Sequence, residues 1–136
     1  MKELFDVHCH MVPGVDDGAA DLEESLAMLK MQHEDGVRKI IITPHYRRRM
    51  FETPAKKVHE QFLKLQEAAK KEYPDMSLYL GCELHSNMDL QDILEKRKYV
   101  TMAGSSYVLL EFSEGDSAQH IRERVYNVPV SYTHLR

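Results

Sequence analysis

The sequence predicts an α/β fold in which parallel β-strands alternate with α-helices. Two observations support this prediction. Short apolar runs alternate along the chain with longer amphipathic segments, and the second apolar run, VRKIII, is rich in β-branched residues, as buried parallel strands are. The 136 residues are in the range of one domain, and no internal repeat or Pro/Gly/Ser linker divides them. We therefore expect four consecutive βα units.

The first βα unit combines a short strand with an amphipathic helix. The strand is expected at residues 4–8. The helix is expected at 21–36, where leucines recur at helical spacing, acidic residues fill the first turn and Gly36 suits the C-terminal stop. The second unit starts with the buried strand at 37–43 and continues with a helix at 53–73.

The later elements keep the same order. The helix of the second unit is predicted to begin with Thr53 as N-cap and Pro54 at the first helical position, because a first turn favours a hydroxyl cap and tolerates proline. The remaining elements are predicted as a strand at 77–83, a helix at 88–98, a strand at 106–112 and a helix starting at 117.

Side chains that can bind metal ions collect where these strands end. In parallel α/β folds the C-terminal ends of the strands lie on one rim, and ligands bind there. His8 and His10 are expected on one face of the first strand because side chains alternate, and Cys9 is expected on the other. The acidic and histidine candidates that follow the strands are Asp16, Asp17, His45, Glu83 and Glu111.

This mixture of imidazole and carboxylate predicts a site for divalent ions such as Zn, Mn or Fe. Several carboxylates favour more than one ion, since massed acids repel unless cations neutralise them. Taken alone, each of these residues could be an ordinary surface group or turn residue. The prediction of a metal site therefore depends on the recurrence of such residues at four strand ends. His85 is left open between a ligand and a supporting residue. His33, His59 and His120 are interpreted as ordinary helix residues.

Composition and charge argue against several other classes. The net charge of −4 is spread over mixed acids and bases, which disfavours nucleic acid or an anionic membrane as the main partner. No apolar run approaches the ~18 residues of a membrane span, and the N-terminus has no apolar signal core, so we expect a cytoplasmic location. Cys9 and Cys82 are expected to stay reduced there. The sequence leaves homo-oligomerisation open.

A thiol-based phosphatase is also disfavoured. Such an enzyme needs an arginine six positions after its cysteine to hold phosphate. Val15 occupies that position for Cys9, and Met88 occupies it for Cys82.

Several motifs resemble a known superfamily. They are DVHCHMVPGVDDGAADLEESLAML, ITPHYRRRMFETPAKKV, LGCEL, LLEFSEGD and IRERVYN, in that order. Together they resemble the polymerase-and-histidinol-phosphatase (PHP) superfamily of metal-dependent phosphoesterases. The closer resemblance is to tyrosine phosphatases encoded with the capsule and exopolysaccharide operons of Gram-positive bacteria. The resemblance covers roughly residues 3–127.

The resemblance implies a fold, a cofactor and an activity. The fold would be the first half of a distorted (β/α)7 barrel. The cofactor would be Mn²⁺ or another divalent metal, with two to three ions in the complete protein. The activity would be hydrolysis of phosphotyrosine on a partner bacterial tyrosine kinase, by metal-activated hydroxide and without a side-chain nucleophile.

The resemblance also implies roles for individual residues. His8 and His10 would bind a first ion, Glu83 would bridge to a second ion that Glu111 completes, and Asp17 and His45 would hold a third ion. Arg47 and Arg48 lie in the arginine run after the second strand. They are candidates to hold phosphate, and a solvated loop is the alternative.

The chain is shorter than the pattern it resembles. A (β/α) barrel needs about 250 residues, and the ligands that the superfamily carries further along are absent. We expect residues 1–128 to form a truncated barrel domain. The ending PVSYTHLR resembles translated sequencing-adapter read-through, so residues 129–136 are expected to be a non-native tail. The fragment would then have weak activity or none.

Two other functions stay open. One is a different phosphoesterase of the superfamily, such as a histidinol-phosphate phosphatase, although the DDGA and FETP segments favour the tyrosine phosphatases. The other is a metal-binding module without turnover.

Overall fold

The computed structural model describes residues 3–95 and 101–131, and these form strands and helices in alternation. The predicted α/β class with parallel strands is confirmed. The elements are β1 (Leu4–Cys9), α1 (Leu22–Glu34), β2 (Val37–Ile42), β3 (His45–Tyr46), α2 (Ala55–Glu72), β4 (Ser77–Leu80), β5 (Glu83–His85), α3 (Leu90–Glu95), β6 (Leu109–Glu111) and α4 (Ala118–Ser131).

The strands form two short parallel sheets, one ordered β1-β2-β4 and the other β3-β5-β6. Backbone hydrogen bonds join the two sheets. The N–H of Gly81 donates to the carbonyl of Ile42 at 2.8 Å, and the N–H of Glu83 donates to the carbonyl of Pro44 at 3.0 Å. β2 and β3 are therefore successive parts of one strand path, as are β4 and β5. Their C-terminal ends meet at one edge.

Two of the predicted strands differ in extent from the observed ones. The strand predicted at 77–83 is interrupted after Leu80 and continues to His85. The strand predicted at 106–112 is shorter, and a 3-10 turn at Met102–Gly104 precedes it.

The start of α2 corrects the predicted cap. Pro54 occupies the N-cap position, and Thr53 lies one residue before it. The Thr53 hydroxyl instead donates to the carbonyl of Val15 at 2.8 Å. It therefore connects the start of α2 to the loop after β1. The cap of α1 is of the usual kind, because Asp21 accepts a hydrogen bond from the N–H of Glu24 at 2.9 Å.

The last two helices also differ from prediction. Residues 96–98 of the helix predicted at 88–98 lie outside the described residues. The backbone of α4 stays helical through Ser131, past the expected domain boundary at 128. The rest of the expected tail, 132–136, lies outside the described residues. None of the described helices has the length and apolar character needed to cross a bilayer.

Two apolar clusters support the strand ends. In α2, Val58, Phe62, Leu65 and Ala69 recur at helical spacing and are buried against β2 and β4. Full burial of a Leu or Phe side chain contributes about 1.5–3 kcal/mol. Cys9 packs against this cluster. A second cluster lies under β5, and its buried members are Cys82, Leu84, Met88, Leu90 and Ile93.

Candidate metal centre

All six residues that the family resemblance nominates as ligands come together at the C-terminal edge of the strands. They form three overlapping groups, and within each group one ligand atom per residue lies within 4.8 Å of the others. The groups are His8, His10 and Glu83; His10, Asp17 and His45; and His45, Glu83 and Glu111. His10, His45 and Glu83 each belong to two groups, so the three groups form one continuous site.

Glu83 lies at the centre of this site. Its Oε2 atom is 3.1 Å from Nε2 of His8, 3.1 Å from Nε2 of His10 and 3.3 Å from Nδ1 of His45. The Glu83 side chain is 10% exposed, because β5 lies between β3 and β6. One carboxylate oxygen thus faces three imidazole nitrogens in a largely water-excluded position.

Two buried atoms at this centre have no hydrogen-bond partner among the residues that the structure describes, namely Nδ1 of His45 and Oε2 of Glu111. The two atoms lie 3.3 Å apart, which is within ion-pair distance, but their geometry is not that of a hydrogen bond. Buried polar atoms are rarely left unpaired, because desolvation without a partner costs about 1–3 kcal/mol. Their arrangement suits a shared positive ion better than a direct contact.

The third group reaches toward solvent. Nε2 of His45 is 3.5 Å from Oδ1 of Asp17, whose side chain is 63% exposed. The ring of Phe51 stacks on the other side of His45, with 5.0 Å between centroids and 12° between planes. Phe51 begins the FETP segment of the family resemblance, but no sequence pattern predicted its contact with His45.

Asp16, the neighbour of Asp17, contacts two of the proposed ligands without belonging to a ligand group itself. Its side chain is 0% exposed. Oδ2 accepts hydrogen bonds from Nδ1 of His10 and from the N–H of His45, both at 2.9 Å, and Oδ1 accepts one from the N–H of Gly18 at 3.0 Å. Burial raises the pKa of Asp16, but these hydrogen bonds outweigh it and hold the pKa below its ordinary value.

The contact between Asp16 and His10 also shifts the pKa of His10. Its hydrogen bond to Asp16 raises the pKa of the His10 ring above the ordinary value, although burial opposes the shift. With Nδ1 donating to Asp16, the neutral ring presents the lone pair of Nε2 to Glu83 and His8. An imidazole lone pair and a carboxylate oxygen 3.1 Å apart repel each other unless a proton or a cation lies between them.

The two candidate phosphate-binding arginines differ in placement. Nη1 of Arg47 is 3.6 Å from Oε1 of Glu111, and its buried Nε has no hydrogen-bond partner within the described part of the chain. Arg47 also starts a tight turn in which its backbone exchanges hydrogen bonds with Phe51 at 2.9 Å. Arg48 is exposed in that turn. The structure therefore brings Arg47, and not Arg48, against the proposed ligands.

His85, which the sequence left open, has both ring nitrogens occupied. Nδ1 accepts from the N–H of Asn87 at 3.1 Å, and Nε2 lies 3.1 Å from the hydroxyl of Ser113. We therefore assign it a supporting place under the site. His33 pairs with Asp75 at 3.0 Å, His59 is exposed on α2 and His120 lies 3.9 Å from Asp116. None of these three belongs to a ligand group found among the described residues.

Neither cysteine is suited to nucleophilic chemistry. Burial and the nearby Asp6 raise the pKa of Cys9 to about 12. Burial also raises the pKa of Cys82, with Glu83 adding to the effect. Since the thiolate is the nucleophile, the raised pKa makes each thiol a poor nucleophile at neutral pH. This supports the sequence argument against a thiol mechanism.

The donor set fits divalent cations. It consists of imidazole nitrogens and carboxylate oxygens, the combination that Mn, Fe and Zn ions accept. The unpaired atoms of His45 and Glu111, and the lone pair of His10 facing Glu83, would each be satisfied by a cation between them.

A family comparison identifies the relatives of this chain. The profile described as "Capsular polysaccharide synthesis, CpsB/CapC" matches residues 4–133. The chain belongs to the CpsB/CapC family. The match extends beyond residue 127, where the motif resemblance ends.

Curated members of the CpsB/CapC family are named as tyrosine-protein phosphatases. The protein CpsB of Streptococcus pneumoniae is 39% identical over 125 residues, which cover 92% of this chain and 51% of that protein. YwqE of Bacillus subtilis is 27% identical, with 92% and 49% covered. The chain spans about half the length of the curated relatives it matches.

A solved structure of this family has the same fold. It comes from crystal structures of YwqE from Bacillus subtilis and CpsB from Streptococcus pneumoniae, which are described as unique metal-dependent tyrosine phosphatases. The TM-score is 0.83 at 27% identity, and the match covers 93% of this chain and 51% of that chain. The α/β architecture with parallel strands is therefore that of the CpsB/YwqE structures.

Proposed function

We propose that this chain carries the first part of the active site of a metal-dependent protein-tyrosine phosphatase. The observation that supports it most directly is the convergence of three histidines and three carboxylates into three groups that share members. Family membership supports the same activity, because the curated relatives are named as tyrosine-protein phosphatases. We also propose the finer fold, the first half of a distorted (β/α)7 barrel.

The described residues suggest how the metal ions would be held. His8 and His10 would hold a first ion, and Glu83 would bridge to a second ion completed by Glu111. A third ion would lie between Asp17 and His45. Manganese is the proposed metal, with two to three ions in the complete protein. Bound divalent ions supply Lewis acidity, which lowers the pKa of water and offsets the charge of a phosphate.

Arg47 would bind the phosphate of the substrate. Its guanidinium borders Glu111, and its buried Nε has no partner among the described residues. Arginine offers two parallel donors to a phosphate and is well suited to that task. Arg48 would make a weaker, solvent-exposed contact. The proposed substrate is a phosphotyrosine protein, in particular a bacterial tyrosine kinase of capsule or exopolysaccharide synthesis, and the proposed location is the cytoplasm.

A metal-binding module without turnover is the second candidate. The observation that favours it is the ligand set itself, because groups of histidines and carboxylates can hold ions whether or not a substrate is hydrolysed. The three groups would then bind ions without a complete set of phosphate contacts. A histidinol-phosphate phosphatase would use a similar site on a small substrate.

One experiment separates these functions. Residues 1–128 are joined to the second half of the Streptococcus pneumoniae relative, and manganese-dependent hydrolysis of a phosphotyrosyl peptide and of histidinol phosphate is measured. We expect the chimera to hydrolyse the peptide, and the 136-residue chain alone to do so far more slowly.

Matched variants identify the source of the activity. Glu83→Gln removes the central carboxylate and is expected to abolish hydrolysis, whereas Glu114→Gln makes the same change at an exposed position and is expected to preserve it. Manganese binding without hydrolysis in a folded chimera would support the metal-binding module. Preference for histidinol phosphate would overturn the proposed substrate.

A further inference from the structure

We propose that Asp16 is a positioning residue that sets the tautomer of His10 and the place of His45, and so prepares both histidines for metal binding. This inference rests on the metal site proposed above. It assigns Asp16 a task different from that of Asp17, although the two aspartates are adjacent.

The contacts of Asp16 demand a carboxylate. Its buried oxygens accept the backbone N–H groups of His45 and Gly18 at 2.9 and 3.0 Å, and Oδ2 lies 2.9 Å from Nδ1 of His10. The two backbone groups can only donate. A side chain that accepts from both oxygens is therefore required, and an ionised carboxylate is the acceptor-only group among the side chains of this size.

The consequence for His10 is a fixed tautomer. With two backbone donors already on the carboxylate, Nδ1 of His10 completes the arrangement as a donor. The neutral ring then carries no proton on Nε2, which lies 3.3 Å from Nε2 of His8 and 3.1 Å from Oε2 of Glu83. That nitrogen is the one available to an ion. Hydrogen bonding of the second ring nitrogen is a general way to orient histidine ligands.

His45 is held in place by the same carboxylate oxygen that contacts His10. Oδ2 of Asp16 accepts from both His10 and His45, so one atom fixes the end of β1 relative to the start of β3. Each of these histidines belongs to two of the three ligand groups. A shift of Asp16 would therefore disturb all three groups at once.

Asp16→Asn is an informative substitution because it preserves shape and removes one acceptor. If the amide oxygen faces His10 and His45, the amide nitrogen meets the N–H of Gly18, and two donors oppose each other. If the amide nitrogen faces His10, it also opposes the N–H of His45, and Nδ1 of His10 must accept, so that its proton moves to Nε2. The second arrangement blocks the nitrogen proposed to bind metal.

The first measurement uses the metal-free wild-type chain. Nitrogen-15 NMR of the histidine rings, at alkaline pH where the rings are neutral, distinguishes the two tautomers. The His10 signal is identified by its loss in His10→Gln. We expect His10 to carry its proton on Nδ1. A proton on Nε2 would overturn the proposal, whatever the behaviour of any variant.

The second measurement is calorimetric titration with Mn²⁺. Asp16→Asn is expected to weaken binding about 10–100-fold, the usual effect of removing an outer partner of a ligand. Asp21→Asn is the matched control, since asparagine caps a helix as well as aspartate does and α1 should be unaffected. Equal affinity of Asp16→Asn and wild type would overturn the proposal.

These readouts separate the inference from the proposed function. Neither measurement uses hydrolysis, so an inactive chimera leaves both interpretable. If Asp16→Asn does not fold, the tautomer of His10 in the wild-type chain still decides the question.

Discussion

Cys9 lies between two proposed ligands yet takes no part in the site. It packs against the first apolar cluster, whereas His8 and His10 turn to the opposite side of β1, as alternation requires. We expect Cys9→Ser to retain most phosphatase activity in the chimera described above. We expect the double variant His8→Ala, His10→Ala to lose it. Loss of activity in Cys9→Ser with unchanged manganese content would revive a thiol mechanism.

Gly18 is held against His10 more closely than any other residue type allows. A Cβ atom at this position would overlap the carbonyl oxygen and the Cβ of His10. We expect Gly18→Ala to lower the free energy of unfolding by about 1–3 kcal/mol, the usual cost of overpacking, and to weaken manganese binding. Denaturant unfolding checks the first effect and calorimetry the second. Gly115→Ala, where no atom lies within 4 Å, is the control; similar losses in both variants would contradict the explanation.

Single residues also show the limit of sequence reasoning. The ligand set could be nominated because histidines and acids recur at strand ends, and these side chains do converge. The resemblance implied Asp17 rather than Asp16 as a ligand, but the hydrogen bonds of Asp16 could not be predicted, because they depend on how the turn at Gly18 orients its carboxylate. Phe51 was not predicted either, since its stacking on His45 follows from the closed turn that begins at Arg47.

At the scale of elements, a small ionic cluster joins α1 and β2 to the turn before β4. Asp75 is 3.0 Å from Nε2 of His33 and 2.9 Å from Nε of Arg38. The hydrogen bond from His33 is the main cause that lowers the pKa of Asp75 below its ordinary value of 3.8. The cluster lies at the end of β2 opposite the metal centre.

The lowered pKa of Asp75 predicts that the stability of the fold depends on pH. Because the folded-state pKa of Asp75 is the lower one, its carboxylate stabilises the fold above its ordinary pKa and loses that effect as the pH falls through the folded value. We expect Asp75→Asn to melt below wild type at neutral pH, with the difference vanishing in acid below pH 3.8. Melting curves over this range test it, with Glu114→Gln as control. A difference that persists in acid would assign the effect to packing.

Element types were predictable and element ends were less so. Apolar spacing and β-branched content indicated each strand and helix that precedes the site. The predicted cap at Thr53 was wrong, because its hydroxyl finds a tertiary acceptor in Val15 that sequence spacing cannot reveal. The continuation of the second strand as β3 was missed for a similar reason. Pro44 has no N–H, but its carbonyl still accepts from Glu83.

At the scale of the whole molecule, the role of residues 129–136 stays a prediction. The backbone of α4 is helical through Ser131, and the family match extends to residue 133. We nevertheless expect that deletion of 129–136 changes the melting temperature by no more than a degree or two. The expectation rests on the polar, proline-led sequence of this segment. A large drop in melting temperature would show that the segment packs on the fold.

A second feature of the whole molecule is the exposed edge of the β1-β2-β4 sheet. β1 is at the edge of its sheet, and Leu4, Phe5 and Val7 are each more than half exposed. Exposed apolar edge strands are sites of association. The general architecture was predictable because parallel strands need alternating helices. An open sheet edge was also expected from the sequence, but not that β1 would be the strand whose apolar side chains are exposed there.

The central claim is that the converging histidines and carboxylates form a site for divalent ions, and its most direct test is Mn²⁺ binding to the 136-residue chain. Calorimetry on wild type, Glu83→Gln and Glu114→Gln gives the comparison. We predict that the wild type and Glu114→Gln bind manganese equally, and that Glu83→Gln loses at least the ~10–100-fold expected from disturbing a ligand. No binding by the wild-type chain, or unchanged binding by Glu83→Gln, would contradict the account.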